Sequence, residues 1–450
     1  GGGGAPPRRA AAGGEGASPE RAVALRVLQR VEAGAYADRA LDAEVRRAGL
    51  DARGRAFATR LLYGAVQRRR TLDHVLDGLL DRPEGVEPAV RDVLRLGTYE
   101  LLWSDRVPPS AAVDQAVRLV RALPAARPRA AARAGLVNAV LRRVADGGPA
   151  RLAALDDPEV PAGVRHSVPD WIAEALVAGL GREDAEGVMR AANLPPESAL
   201  RWNPLRGPRA TVERALGLAG VPDPRLPEAI VLPGPFALED SPLWASGRVM
   251  AQARASMLPA RVLDPRPRER VLDLCAAPGA KATHLAALSR NGAEIVCVEL
   301  HAARADALRA LARRMGARLT VVVGDAREVP LPGPFDAVLV DAPCTGLGVL
   351  AARPDARWRR REESLAPLVA LQRALLARAL EVVHPAGRVV YSTCTLLPAE
   401  NEDVVRASGG RVEDVTSLFP DMAHPGLPGA LRTLPHVHGT DGFVVARIRP

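Results

Sequence analysis

Between about residues 20 and 145, apolar residues recur every three or four positions, and Pro and Gly separate the segments. This spacing places the apolar residues on one face of an α-helix, and Pro and Gly commonly mark where helices end. The clearest segments are RAVALRVLQRVEAG, RAFATRLLYGAVQRRRTLDHVLDGLL, VEPAVRDVLRLGTYELLWSD, PPSAAVDQAVRLVRAL and RAGLVNAVLRRVA. The pattern predicts a bundle of six or seven helices.

A break in the pattern follows the bundle. Residues 148–165 are rich in Pro, Asp and Gly, and they are predicted to form a linker. A smaller mixed segment then extends to residue 260. Its stretch 168–193 has helical spacing, whereas 198–206 and 228–239 are predicted to contain short strands.

After residue 265, short apolar runs alternate with helical stretches. Five runs are predicted to be strands: RVLDL, EIVCVEL, LTVVVGD, FDAVLVDAP and GRVVYSTC. Alternation of strands and helices at this spacing is typical of a parallel sheet with right-handed crossovers and helices on both faces. Ligands of such sheets bind at the carboxyl ends of the strands, so the residues just after each strand are the candidate site.

Composition narrows the class of protein. A net charge of +9 and a pI near 10.2 fit a polyanionic partner, but solubility and coding bias would explain them equally well. The cysteines lie too far apart for a disulfide framework and lack zinc-site spacing, so no metal is expected. Residues 1–19 have no signal-peptide core and are predicted to be a disordered tail. No apolar run is long enough to cross a bilayer, which favours a cytoplasmic protein without membrane contact.

The loop after the first predicted strand carries one glycine and one lysine. Its residues are Cys275, Ala276, Ala277, Pro278, Gly279, Ala280 and Lys281. A dinucleotide-binding loop needs three glycines and a P-loop needs Ser or Thr after its lysine, whereas Ala282 follows here. The turn therefore suits a ligand without phosphates, or is purely structural. Lys281 is the only lysine of the chain, which indicates a position that does not accept arginine, although chance could also leave a single lysine.

Two acids follow the next two predicted strands. Glu299 ends the second strand, where a carboxylate can accept hydrogen bonds from a ribose diol, and Asp325 follows the third, near where an adenine would lie. Either acid alone could be a solvated loop residue or a helix cap. Together they favour an adenosine ligand without phosphates, of which S-adenosylmethionine is the usual one.

The last two predicted strands each end near a cysteine. The fourth is followed by Asp341, Pro343 and Cys344, and the fifth by Cys394. A cysteine in such a place is usually an inert small apolar residue. If the two strands are neighbours in the sheet, however, their ends would bring both thiols to one pocket.

These motifs carry a family resemblance. DLCAAPGAK, VDAPCTG, RPDARW and YSTCT…ENE resemble, in order and spacing, the Fmu/Sun family of RNA cytosine-C5 methyltransferases. LLYGAV, LRLGTYELL, VPPSAAVDQAV and GLVNAVLRR are similar to the NusB-like domain fused to that core in the bacterial 16S rRNA enzyme, and DGFVVARIR resembles the last strand of the family. One departure is Ala280, which stands where the family has a second glycine.

The resemblance implies a multidomain protein. The expected parts are an all-α NusB-like RNA-binding bundle (20–147), a small α+β RNA-binding segment (166–260) and a C-terminal α/β Rossmann-like domain (261–450). The last part would be a class I S-adenosylmethionine-dependent methyltransferase. The co-substrate would be held by the loop 275–281 together with Glu299, Asp325 and Asp341.

The resemblance also implies a role for each residue of the pocket. Cys394 would be the nucleophile that adds to C6 of cytosine, which activates C5 toward the methyl group. Asp341 would hydrogen-bond the base at N3 and the exocyclic amine. Cys344 would assist loss of the C5 proton and release of the enzyme. Lys281 would pair with a carboxylate where a guanidinium cannot fit.

The expected partner is RNA, most specifically 16S rRNA, bound by a monomeric enzyme. Arg353 and the basic run 357–361 are candidate contacts to the RNA backbone, although the run could equally be a solvated helix start. Three alternatives stay open: methylation of transfer RNA or 23S rRNA, an amino-group methyltransferase, and a non-catalytic NusB-like RNA-binding factor. The thiols argue against the second alternative and, with the acids, against the third.

Overall fold

The computed structural model describes residues 16–218, 223–234, 236, 238 and 240–450, apart from the side chain of Pro149. The chain divides into two compact units, and the division falls between Val168 and Pro169. Of the predicted tail, residues 1–15 lie outside the described residues, and the first helix begins at Pro19.

The first unit is helical throughout its described residues. Its helices are α1 (Pro19–Glu32), α2 (Ala37–Ala48), α3 (Ala52–Gln67), α4 (Arg69–Asp77), α5 (Pro88–Trp103), α6 (Pro109–Arg121), α7 (Arg127–Leu155) and α8 (Ala162–Arg165). The predicted helical bundle is confirmed. α7 continues to Leu155, so the first part of the predicted linker 148–165 is helical.

Helix α5 is the centre of this bundle because it packs against α1, α3, α4, α6 and α7. Its neighbours approach closely where glycines remove a side chain. At Gly97, an added Cβ would lie 2.5 Å from a methyl carbon of Leu141 in α7, and at Gly64 of α3 it would lie within the ring of Tyr99. Close packing of the bundle therefore depends on these two small residues.

The second unit begins with two helices and a small sheet. α9 (Asp170–Leu180) and α10 (Arg182–Ala191) precede an antiparallel sheet of order β2-β1-β3. Its strands are β1 (Ala199–Trp202), β2 (Ala229–Val231) and β3 (Val249–Ala251), with α11 (Arg209–Leu216) and α12 (Pro242–Ala245) between them. β3 was not predicted, because its three residues show no alternation of their own and pair only with β1.

The remaining elements form one layered domain. They are α13 (Arg254–Leu263), β4 (Arg270–Asp273), α14 (Ala280–Leu288), β5 (Glu294–Glu299), α15 (Ala302–Met315), β6 (Thr320–Val323), β7 (Phe335–Asp341), α16 (Ala356–Arg359), α17 (Leu365–Val382), β8 (Val383–Thr393), α18 (Glu402–Ala407), β9 (Arg411–Glu413), β10 (Leu431–Thr433), α19 (Pro435–His438) and β11 (Phe443–Arg449).

The large sheet has the order β10-β11-β8-β7-β4-β5-β6, and β9 pairs with β11 outside this path. The five predicted strands, β4 to β8, pair in parallel. β11 runs antiparallel to β8, and β9 and β10 pair antiparallel to β11, so the sheet is mixed rather than wholly parallel. β9 and β10 were not predicted because each has only three residues.

Alternate residues of the central strands bury into two separate cores. Val271, Ala337 and Leu339 pack into the core under α13 and α14, whereas Leu272 and Val338 pack into the core under α17 and α18. Helices therefore cover both faces, and the predicted Rossmann-like arrangement is confirmed. From β4 the chain adds β5 and β6 on one side of the sheet, and it then returns to add β7 on the other side of β4. The carboxyl end of β4 is therefore the switch point.

We expect Gly64→Ala to lower the free energy of unfolding by about 1–3 kcal/mol, because the new methyl group would overlap the buried Tyr99 ring. Gly135→Ala in α7 is the matched control, since no atom lies within 4 Å of its added Cβ. That control should leave stability unchanged or raise it by up to about 1 kcal/mol. Urea unfolding followed by circular dichroism measures both, and equal effects would contradict the packing argument.

Candidate active site

Four strand ends meet at the switch point. β4 lies between β5 and β7, and β7 lies between β4 and β8. The sequence-predicted site residues follow these strands, so the parallel pairing brings the loop 275–281, Glu299, Asp341, Cys344 and Cys394 to one edge of the sheet.

The loop after β4 turns sharply into α14. Gly279 has φ of +109°, and an added Cβ would lie 2.4 Å from a methyl carbon of Leu308, so both backbone and packing require glycine there. Ala280 is the first residue of α14 and is not among the residues with positive φ. The turn therefore accepts alanine where the resembling family has a second glycine.

The two predicted ribose and adenine acids lie at neighbouring strand ends. The amide of Gly324 donates to the carbonyl of Glu299 over 3.1 Å, which ties the ends of β5 and β6 together. Glu299 is 5% exposed and accepts a hydrogen bond from the amide of His301. Hydrogen bonds from the side chain and amide of Arg327 lower the pKa of Asp325 to about 2, so this acid is ionised.

Three further residues of this region were not singled out from the sequence. Leu300 and Val323 are large apolar side chains left exposed beside Glu299 and Asp325, where they offer an apolar surface next to two acceptors. Asp273, at the end of β4, is 1% exposed, and its Oδ2 has no hydrogen-bond partner among the described residues. Burial, reinforced by the charge of Asp341, raises the pKa of Asp273 to about 7.

The residues at these strand ends fit an adenosine ligand. An orphaned buried carboxyl oxygen, a nearly buried Glu299 and two exposed apolar side chains surround the same strand ends. The sequence signal for Leu300 and Val323 was their position at strand ends. Asp273 lies within the motif DLCAAPGAK, but sequence alone did not indicate its lack of a partner.

The two predicted thiols are in contact. β7 and β8 pair in parallel, with Asp341 opposite Ser392, and the loops after these residues carry the cysteines. Sγ of Cys344 lies 3.3 Å from Sγ of Cys394. The inference from sequence that neighbouring strands bring both thiols to one pocket therefore agrees with the geometry.

The two thiols have opposite electrostatic environments. The hydrogen bond from Cys344 lowers the pKa of Cys394, and Lys281 and Arg353 act in the same direction against burial and Asp341. That hydrogen bond, together with burial and the charges of Cys394 and Glu400, raises the pKa of Cys344 well above its ordinary value. Cys394 is therefore the thiol that ionises first.

Lys281 lies between a carboxylate and an aromatic ring. Its Nζ is 2.8 Å from Oδ2 of Asp341 and 5.1 Å from the centre of the Phe443 ring. Burial disfavours its charge, but the Asp341 carboxylate, together with Cys394 and Asp273, outweighs burial and raises the pKa of Lys281. Ser392 donates to the other oxygen of Asp341 over 3.0 Å, so this carboxylate is held on both sides.

The segment YSTCT…ENE shapes the loop that carries Cys394. Asn401 accepts from Thr393 Oγ1 over 2.6 Å and donates to the carbonyls of Thr395 and Leu397. Glu400 binds the other cysteine loop through Thr345. Sequence reasoning quoted this motif but assigned no role to its acid and amide.

The basic run 357–361 is largely occupied within the protein. Arg357 is fully buried and donates to Asn193 Oδ1 and to the carbonyl of Ala192. The prediction that it contacts RNA or lies in solvent was therefore wrong. Arg360 donates to the carbonyls of Cys344 and Thr345. Arg353 is exposed, as an RNA contact would need to be.

Among the described residues, no group of three or more His, Cys, Asp or Glu side chains is placed to hold a metal ion. Nor does the described part of the chain contain a helix with the length and apolar character needed to cross a membrane.

Comparison with known proteins matches both parts of the chain. A model of the NusB family matches residues 18–146. A model described as 16S rRNA methyltransferase RsmB/F matches residues 260–449, which include all the site residues above.

Similar proteins extend over nearly the full chain. Ribosomal RNA small subunit methyltransferase B of Thermus thermophilus is 38% identical over 439 residues, which cover 96% of this chain and 98% of that protein. The protein of the same name from Xylella fastidiosa is 35% identical, covering 88% of this chain and 90% of its own. The crystal structure of PH0851 is similar with a TM-score of 0.78 at 26% identity, covering 96% of this chain and 99% of that one.

We expect Lys281→Met to raise the pKa of Cys394, because a cation that favours the thiolate is removed. At neutral pH the thiolate fraction would then be smaller, and alkylation of Cys394 by iodoacetamide should slow by about threefold to tenfold. Its rate–pH curve should shift to higher pH. Mass spectrometry of the Cys394 peptide measures the rate.

The control for this experiment is Arg361→Met, which removes an exposed cation at the end of the same basic run. It should leave the rate–pH curve of Cys394 in place. An identical shift in both variants would mean that Lys281 acts only through net charge.

Proposed function

The chain belongs to the ribosomal RNA small subunit methyltransferase B family, whose members are S-adenosylmethionine-dependent rRNA methyltransferases, and from this premise we propose that it methylates C5 of a cytosine in 16S rRNA. One observation carries the proposal: Cys394 and Cys344 lie 3.3 Å apart at the ends of adjacent strands. The opposite shifts of their pKa values suit one thiol for attack and the other for proton transfer.

A thiol pair suits carbon methylation better than amine methylation. Cytosine C5 is a weak nucleophile until a thiolate adds to C6 and makes the ring electron-rich, whereas an exocyclic amine needs no such addition. Cys394 has the lowered pKa that this addition requires.

The methyl donor would lie across the ends of β4, β5 and β6. Glu299 would accept hydrogen bonds from the ribose hydroxyls, and Leu300 and Val323 would contact the faces of adenine beside Asp325. The loop 275–281 would adjoin the methionine part, near the unpartnered oxygen of Asp273. Bound there, S-adenosylmethionine supplies the electrophilic methyl group that C5 takes up.

The first half of the reaction uses Cys394 and Asp341. The thiolate of Cys394 forms a bond from Sγ to C6, and the electron pair of the C5–C6 double bond moves into the ring. Asp341, held by Lys281 and Ser392, accepts hydrogen bonds from the exocyclic amine and from N3 once N3 is protonated. The proton on N3 comes from solvent, and the Cys344 thiol gives its own proton to solvent before the second half of the reaction, so that it becomes a thiolate.

The second half uses Cys344. After C5 is methylated, the Cys344 thiolate takes the C5 proton, and the electron pair of that C–H bond restores the C5–C6 double bond. The bond between Cys394 Sγ and C6 breaks at the same time, which returns the Cys394 thiolate. The N3 proton leaves to solvent, so charge and atoms balance.

The RNA partner is supported by the NusB-type segment and by the positive net charge of the chain. A base in a helix must leave its stack to reach the strand ends, and exposed cations such as Arg353 would hold the neighbouring phosphates. The names of the similar proteins favour small-subunit rRNA over other RNAs.

We expect the purified protein to transfer labelled methyl groups to unmodified 16S rRNA as 5-methylcytosine, and much less to transfer RNA or 23S rRNA. Cys394→Ala should abolish transfer, because no thiolate can add to C6. Cys344→Ala should retain a covalent protein–RNA adduct on a denaturing gel, because the C5 proton is not removed. Label in another base or position, or full activity of Cys394→Ala, would sink the proposal.

Glu299→Gln is expected to raise the KM for S-adenosylmethionine by about tenfold or more, because one of the two oxygens that would accept from the ribose hydroxyls becomes an amide nitrogen that only donates. Asp306→Asn is the matched control, an acid of the adjacent helix α15 whose side chain is 75% exposed. Initial rates at varied S-adenosylmethionine measure both variants. If Glu299→Gln and Asp306→Asn have the same KM, the ribose does not bind at Glu299.

A further inference from the structure

A buried carboxylate connects the two cysteine loops. Glu400 is fully buried, and its Oε1 accepts hydrogen bonds from the amide of Thr345 over 2.8 Å and from Nε2 of Gln372 over 2.9 Å. Its Oε2 accepts from Thr345 Oγ1 over 2.5 Å. Thr345 directly follows Cys344, so the carboxylate is anchored beside that cysteine and on the chain segment that leads from Cys394.

The described groups that donate hydrogen bonds to the Glu400 carboxylate are all uncharged. An ionised carboxylate only accepts hydrogen bonds, and each of these three groups can donate one to it. Among the described residues no cation forms a salt bridge with Glu400. A negative charge on Glu400 would therefore be held by neutral dipoles, and no direct ion pair would cancel its field.

The charged groups around the thiols are distributed unevenly. The charge of Glu400 raises the pKa of Cys344, and the backbone carbonyl of Glu400 accepts a hydrogen bond from the hydroxyl of Tyr391 over 2.6 Å. Lys281 and Arg353 lower the pKa of Cys394, whereas Asp341 raises it. A further cation, Arg360, donates to the carbonyls of Cys344 and Thr345.

We propose that Glu400 is a positioning residue whose negative charge assigns the roles of the two cysteines, keeping Cys344 protonated while Cys394 is the thiolate. The consequence of this inference for catalysis rests on the proposed function, whereas the effect of the Glu400 charge on Cys344 does not. The direction of the Cys344 shift, to which Glu400 contributes, agrees with the geometry.

The same charge acts again later in the reaction. While Cys394 is bound to C6 it carries no charge, and Cys344 is the thiolate that must take the C5 proton. A nearby negative charge makes that thiolate a stronger base. Glu400 would therefore favour attack by the correct cysteine first and removal of the proton afterwards.

The test is Glu400→Gln in a Cys394→Ser background, where only Cys344 of the pair remains. The amide oxygen can accept the two bonds made by Oε1, and the amide nitrogen can donate to Thr345 Oγ1, so the shape is kept and the charge is lost. Alkylation of Cys344 by iodoacetamide is measured across pH by mass spectrometry of its peptide. Relative to Cys394→Ser alone, the midpoint of the rate–pH curve should lie about one pH unit lower, and the rate at neutral pH should be about tenfold higher.

Two further variants keep the test decisive. Glu381→Gln removes an exposed acid of α17, the helix that carries Gln372, and should leave Cys344 alkylation unchanged. Gln372→Lys would place a cation against Glu400 and should also lower the midpoint, even if Glu400→Gln does not fold. Circular dichroism shows whether Glu400→Gln and Gln372→Lys fold. If the midpoint of Cys344 alkylation is unchanged in a folded variant of these two, the proposal is overturned.

The consequence for the reaction is measured separately with Glu400→Gln in the otherwise unchanged chain. Adduct with 16S rRNA should form and accumulate, and turnover should fall by about tenfold. If the unaltered protein methylates no RNA, the proposed function fails, but the alkylation result still decides the charge effect. Loss of activity without any change in the alkylation curve would make Glu400 purely structural.

Discussion

The site depends on the parallel pairing of β7 with β8. This pairing places Asp341 opposite Ser392, and the loops that follow bring two thiols to 3.3 Å. A slip of one residue would turn every side chain of a strand to the other face, because the period of a strand is two. The two buried cores prevent that slip, since alternate residues of β7 are buried on both faces of the sheet. The geometry of the thiols is therefore fixed by apolar packing far from them.

The charges at the strand ends are arranged around that pair. Lys281 and Asp341 form a partly buried ion pair next to Cys394, and Glu400 binds the amide of Thr345, the residue after Cys344. In a low-dielectric site these fixed charges act more strongly than they would in water. The only lysine of this arginine-rich chain contacts Asp341 and the Phe443 ring, where a compact ammonium needs fewer partners than a planar guanidinium with five donors.

Much of the fold followed from periodicity, and the exceptions have a common cause. The helices of the first unit and strands β4 to β8 carry enough residues for their own pattern to show. β3, β9 and β10 have three residues each and exist only because a longer strand pairs with them. Arg357 was misread for a related reason: a run of arginines looks solvated in sequence, but its guanidinium is enclosed by carbonyl and amide oxygens from residues distant in the chain.

The sequence by itself determined which chemical groups stand at the strand ends, because strand–helix alternation sets where each strand stops and which residue follows it. It therefore identified Lys281, Asp341, Cys344 and Cys394 as one candidate site. Only the tertiary structure decided how those groups divide the work. The unpartnered oxygen of Asp273, the exposed side chain of Leu300 and the buried carboxyl group of Glu400 depend on which groups the tertiary structure buries and on partners distant in the chain. Local spacing encodes neither of these.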